Sequence, residues 1–115
     1  MNAQALHGHL DALLLAVLER GALHGYAIIE ALRARSGGVL NLPTGTIYPA
    51  LRRLERAGYV SSAWSTVNGR ERRTYELTGA GQRALAGERS NWQEFSSTVG
   101  QFLGGGTLPS PGTPA

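Results

Sequence analysis

The stretch TGTIYPALRRLERAGYV, residues 44–60, decides how this chain folds. Ile47, Leu51 and Leu54 fall at i, i+4 and i+7, the spacing of a helix with one apolar face. The other face carries Tyr48, Arg52 and Arg56, and Pro49 stands near the start. Pro49 is expected within the first turn or so, where a backbone N–H has little or no helical partner and the ring stiffens the helix start. Thr44 or Thr46 is the expected cap, and the sequence does not choose between them. Gly58 ends the helix. Such a helix buries one side and shows an aromatic, cationic surface on the other.

Upstream, Leu10, Leu13, Leu14, Val17 and Leu18 form a broad apolar stripe over residues 9–20, stopped by Gly21. A second helix over 24–35 turns Ile28, Ala31 and Leu32 inward and Glu30, Arg33 and Arg35 outward, and Gly37 and Gly38 end it. Downstream of residue 58 the helical period gives way to alternation. In YVSSAW (59–64), Val60, Ser62 and Trp64 oppose Ser61 and Ala63; in RTYEL (73–77), Tyr75 and Leu77 share a face. Asn68-Gly69 between them is a strong hairpin signal, because both turn positions need positive φ. Thr78 caps a fourth helix. On it Leu85, Trp92 and Val99, and likewise Glu88, Phe95 and Phe102, recur at heptad spacing, with Glu88 the one flaw. The tail GGGTLPSPGTPA is expected to be disordered.

A chain of 115 residues has room for one small domain, and a limited core makes extra burial in an oligomer plausible. Without cysteine it holds no disulfide, thiolate metal site or cysteine nucleophile. The run LDALLLAVL (10–18) contains Asp11 and is too short to span a bilayer, and no signal-peptide pattern surrounds it. A cytoplasmic protein without a membrane partner is expected. The positive charge is concentrated: residues 45–75 hold six arginines against Glu55 and Glu71, a net of +4, while the remaining five arginines meet six acids.

Three helices followed by a basic hairpin make the order of a winged helix-turn-helix, in which a recognition helix enters the major groove. The fold expected is mainly α with a small β-hairpin. Residues 1–8 form a flexible start, 9–77 the winged unit, 78–103 a C-terminal dimerisation helix and 104–115 the tail. With the apolar stripe in the core, Thr46, Tyr48, Pro49, Arg52 and Arg53 stand at the partner-facing side. Arg70, Arg72 and Arg73 lie where a wing reaches the neighbouring backbone or minor groove. Double-stranded operator DNA is the expected partner, on the coincidence of basic patch and motif.

HGYAII (24–29), GTIYPALRRLERAGYV (45–60), the wing segment NGRERRTYELTGAG (68–81) and the helix with Trp92 resemble the PadR family of transcriptional regulators. The likeness covers about residues 9–103 and is greatest to short members with a single C-terminal helix. It implies a homodimeric repressor whose interface combines the last helix with the first, here Leu10, Leu85, Trp92, Phe95, Val99 and Phe102. It also implies that Tyr48, Arg52 and the wing arginines meet DNA. Some multidrug-responsive PadR-like proteins hold a flat effector between an aromatic pair, which marks Trp92, with Leu14 and Phe95, for a small planar apolar effector. Family wings often carry lysine where Arg72 and Arg73 stand.

Other readings carry less. GAGQRA (79–84) matches a dinucleotide fingerprint, but that motif needs a second parallel strand after its helix, so the glycines are assigned to a close helix start. His7, His9 and His24 lack clustered carboxylates to complete a metal site, and His24 is expected to cap or turn. No Ser/His/acid set points to catalysis, and neither an enzyme nor a cofactor is expected. The rival is a winged-helix adaptor that docks protein through the same helix, since arginine and tyrosine also favour protein interfaces.

Overall fold

The computed structural model describes residues 9–104. The segment 1–8 expected to be flexible, and all but Gly104 of the 104–115 tail expected to be disordered, lie outside the described residues. The elements run α1 (Leu10–Leu18), β1 (Leu23–His24), α2 (Gly25–Arg35), α3 (Thr44–Arg56), β2 (Val60–Val67), β3 (Arg70–Leu77) and α4 (Gly79–Leu103).

Each helix surrenders one face to a common core. Leu14 and Leu18 come from α1, Ile28 and Leu32 from α2, Ile47 and Leu51 from α3, and Leu85 from α4, while the sheet contributes Val60 and Tyr75. Burial raises the Tyr75 phenol above its ordinary value, with the Arg73 guanidinium opposing. Two helices end alike. After α2, Gly37 and Gly38 take positive φ, and the Gly38 N–H reaches the Arg33 carbonyl at 2.8 Å. After α3, Gly58 takes φ 83° and the Tyr59 N–H reaches the Leu54 carbonyl at 3.0 Å. These bonds satisfy carbonyls that a helix end leaves without donors.

The hairpin is longer than the alternation implied. Both strands run eight residues, paired from Val60 opposite Leu77 to Val67 opposite Arg70. Asn68 and Gly69 close it with φ of 52° and 76°, as a two-residue turn of this hand requires. A third strand was not expected. Leu23 and His24 pair antiparallel with Tyr75 and Thr74, so the sheet order is β1-β3-β2. Two residues are too few to show alternation, and only tertiary pairing makes them a strand.

Two expectations at the start of α3 are corrected. The cap is Pro43, extended at φ −78° and ψ 163°, and no side chain caps the helix, so neither Thr44 nor Thr46 does so. Thr44 is already helical, and the Pro43 carbonyl accepts from the N–H groups of Thr46 and Ile47 at 3.0 and 3.2 Å. Counted from Thr44, Pro49 is the sixth residue, beyond the first turn. A residue with an N–H there would donate to the Gly45 carbonyl, so Pro49 deletes one helical bond instead of filling a position without one.

The start of α4 shows why this stretch is rich in glycine. Thr78 caps it as expected, its hydroxyl accepting from the Gly81 N–H at 3.0 Å and donating to the Gly58 carbonyl at 2.6 Å. The Thr78 N–H donates to the Tyr59 carbonyl at 3.1 Å. A methyl group on Gly81 would collide with that same Tyr59 oxygen. The glycine therefore serves a close backbone approach, and the strand before it is antiparallel, unlike that of a dinucleotide fold. The chain divides into two compact units between Leu85 and Ala86, so the first two turns of α4 belong to the winged unit.

Helix propensity alone favours alanine over glycine by about 0.5–1 kcal/mol at any helix interior position. Gly87→Ala, where a methyl group meets only open space, should therefore raise the thermal midpoint. Gly81→Ala should instead destabilise by about 1–3 kcal/mol, because backbone has to move. Equal gains from both changes would show that the Gly81 contact is not rigid.

Candidate nucleic-acid interface

On α3 the buried residues are Ile47, Ala50, Leu51 and Leu54. At the helical period the side farthest from them is a strip of Gly45, Pro49, Arg52 and Arg56. Arg56 was not among the expected site residues, although the period places it beside Arg52. Tyr48 and Glu55 lie on one flank of this strip, Thr46 and Arg53 on the other.

The Tyr48 flank meets α2 and the sheet. A methyl group on Gly25 would lie 2.5 Å from Tyr48 Cε1 and Oη, so the first residue of α2 is glycine because the phenol ring occupies that space. His24, just before it, caps α2 as expected, its Nδ1 accepting from the Ala27 N–H at 3.3 Å. Farther along the same flank, Glu55 accepts from Ser62 Oγ on β2 at 2.6 Å. Ser62 Oγ in turn accepts from Arg73 Nε at 3.0 Å, and the Arg73 guanidinium stands 3.9 Å from Glu55 and 5.7 Å from the centre of the Trp64 ring. On the other flank, Arg53 pairs with Asp11 of α1 at 2.9 Å.

The expected cationic set is thereby sorted. Arg53 and Arg73 each have a carboxylate partner within the fold, whereas Arg52, Arg56, Arg70 and Arg72 make no ion pair among the described residues. Arg72 and Arg73 point to opposite faces of β3, since successive residues of a strand alternate. Sequence spacing carried no sign of these partners, for Arg53 finds its carboxylate 42 residues away.

Between the start of α2, Tyr48 and the wing lies a cleft of about 330 Å³, lined by Tyr26, Trp64, Glu71, Arg72 and Arg73 among others. Tyr26 is 60% exposed and Trp64 66%. Alternation groups Trp64 with Val60 and Ser62. The register does put it on the face of Val60 and Tyr75, but it sits too far along the hairpin to be covered.

The residues expected at an effector or dimer site part company. Trp92, Phe95 and Phe102 are exposed, with the Trp92 and Phe95 rings 5.9 Å apart, and Val99 is half-buried. Leu10, Leu14 and Leu85 are buried in the core of the winged unit, so their side chains are already used there. Among the described residues no three His, Asp or Glu side chains cluster as metal ligands, and His7 lies outside them. No described helix is long and apolar enough to cross a membrane.

Residues 14–87 match the family described as "Transcriptional regulator PadR-like family". A transcriptional regulator of Mycobacterium tuberculosis is 39% identical over 83 residues, which is 72% of this chain and 72% of that protein. A PadR family transcription regulator from Clostridium difficile superposes with a TM-score of 0.73 at 31% identity, over 83% of this chain and 98% of the other. One from Eggerthella lenta gives a TM-score of 0.75 at 31% identity, over 90% and 88%.

The contact between Gly25 and Tyr48 is open to a double-mutant cycle in urea. Gly25→Ala should cost about 1–3 kcal/mol with Tyr48 present, from overpacking against the ring. In a Tyr48→Ala background the same change should be neutral or favourable. Identical costs in both backgrounds would show that the ring is not what excludes the methyl group.

Proposed function

Because the chain belongs to the PadR-like family of transcriptional regulators, we propose that it is a sequence-specific repressor that binds duplex DNA as a homodimer and responds to a small planar effector. The observation that carries the DNA reading is the division of arginines. Those on the outermost strip of α3 and on the far face of the wing have no carboxylate partner among the described residues, and the two on the flanks do. In the major groove the strip brings Arg52 to base edges, where a guanidinium can hold a guanine by two hydrogen bonds. Thr46, Tyr48 and Pro49 stand at the leading end of that helix. The Thr44 and Gly45 N–H groups, which precede the first helical bond and face no side-chain cap, suit a phosphate oxygen. Arg70 and Arg72 supply the wing's backbone contacts.

The assembly reading rests on α4. Trp92, Phe95, Val99 and Phe102 recur along one stripe at a/d spacing, and three of the four are large and exposed. A monomer gains nothing from so long an apolar stripe in water, whereas a second copy covers it. The proposed effector site is the Trp92 pair so formed, with Phe95 beside it. Leu14, buried in the winged core, is not part of it.

Selection of duplexes from a random library should recover a palindrome with half-sites about one helical turn apart. Against that duplex Arg52→Ala should lose about 1–3 kcal/mol and relax the preference at one base pair. Arg72→Ala should weaken every sequence alike and shallow the salt slope by about one. A winged-helix adaptor for protein would enrich no sequence at all.

Phe102→Asp should shift the protein toward monomer in sedimentation and weaken DNA binding in step, because the two half-sites are held jointly. Trp92→Ala should abolish release of DNA by a planar apolar dye. Release that survives Trp92→Ala would place the effector site elsewhere.

A further inference from the structure

We propose that the cleft between the start of α2, Tyr48 and the wing seats one sugar–phosphate unit of the bound DNA strand, with Tyr26 and Trp64 against the deoxyribose and Arg72 at the phosphate. The proposal rests on the DNA-binding reading and assigns two residues that neither the helical strip nor the basic patch includes.

Tyr26 and Trp64 are the starting point. Both are large and mostly exposed, and Trp64 is held in place by a neighbouring guanidinium. Trp64 stands opposite Arg73 in the strand register, and that guanidinium, fixed by Ser62 and Glu55, lies against its ring. Tyr26 sits in the first turn of α2, whose start is set by the His24 cap and the Gly25–Tyr48 contact. An aromatic side chain held at a surface, as Trp64 is, forms a preorganised binding wall that loses little freedom when a ligand arrives.

The size and charge of the cleft narrow the occupant. At about 330 Å³ it stands at the lower end of ligand pockets, room for one sugar–phosphate. Of the two arginines in its lining, Arg73 is already paired with Glu55, which leaves Arg72, beside the edge of β3 that β1 does not cover and without a carboxylate partner among the described residues, as the cation for one phosphodiester. The apolar faces of a deoxyribose suit aromatic walls, while its phosphate needs a cation with a planar fork of donors.

Position supplies the rest. With the Arg52 strip in the major groove and the wing in the neighbouring minor groove, the strand between the two grooves has to cross the space between α3 and the wing. That space is the cleft. A contact there is made to the backbone, so it acts on every sequence equally.

The test uses the full chain and a mixed-sequence duplex of about 30 base pairs at low salt, where backbone contacts suffice for binding. Binding is followed by anisotropy and the contact by isotope-filtered NMR. The chain has two tryptophans, and the Trp64 signals are those lost in Trp64→Phe. Cross-peaks are expected from the Trp64 and Tyr26 rings to deoxyribose protons. Trp64→Ser should weaken all duplexes about fivefold while leaving the salt slope unchanged, since no charge is lost. Absence of binding by anisotropy would remove the DNA reading itself. Binding without Trp64 cross-peaks overturns the cleft proposal alone. Equal cross-peaks with deoxyadenosine monophosphate in place of duplex would make the cleft a free-nucleotide site and overturn its assignment to the DNA strand.

Discussion

Burial of Ile47, Ala50, Leu51 and Leu54 along one side of α3 is the constraint on which the rest depends. Each fully buried leucine or isoleucine side chain is worth about 1.5–3 kcal/mol relative to exposure. Turning the helix by one residue would carry apolar groups toward water and bring Arg52 or Arg53 toward the core, where an unpaired charge is far costlier. The rotation of α3 is therefore fixed from within. Which arginines look outward follows from that rotation and not from any attraction among them. The same burial explains how the helix tolerates Pro49, since the deleted backbone bond is small beside the packed stripe on either side of it.

With the rotation fixed, the neighbouring elements are indexed to α3 by specific contacts. Tyr48 sets α2 through the space left by Gly25. Glu55 sets the wing through Ser62 and Arg73. Thr78 ties the end of β3 to the turn that closes α3 through the Gly58 and Tyr59 carbonyls, and Gly81 brings the start of α4 onto the Tyr59 carbonyl. Exposed ion pairs such as Arg53–Asp11 contribute roughly 0–1 kcal/mol, so their part is orientation more than stability. In the proposed reading, where DNA is met on two elements at once, that indexing is needed, because a misplaced wing would lose its contacts whatever the helix did.

Much of this was legible along the chain, for a physical reason in each case. The α3 stripe repeats at the helical period, Asn68-Gly69 suits only a turn with two positive φ values, and the Thr78 cap acts over three residues. Each is a local signal. What could not be read depends on residues brought together by the fold. The strand at Leu23–His24 exists only because β3 lies beside it. Pro43 replaced Thr44 and Thr46 as the cap because its extended backbone starts the helix without any side-chain acceptor. Arg53 and Arg73 looked equivalent to Arg52 and Arg72 until the positions of Asp11 and Glu55 were known. Leu10 and Leu85, named for the interface, and Leu14, named for the effector site, are buried within the winged unit, a use that position along the chain did not reveal. Trp64 shows the reverse, for alternation names its face but not whether anything covers it.

The central proposal is that Arg52, Arg56, Arg70 and Arg72 are left outward to meet phosphates and bases from each copy of a homodimer. The dependence of duplex affinity on salt counts such contacts directly. With Arg52 at a base edge, a dimer neutralising about six phosphates through Arg56, Arg70 and Arg72 should show log K falling against log salt with a slope of about −5. A slope near zero, at any affinity, would contradict the account.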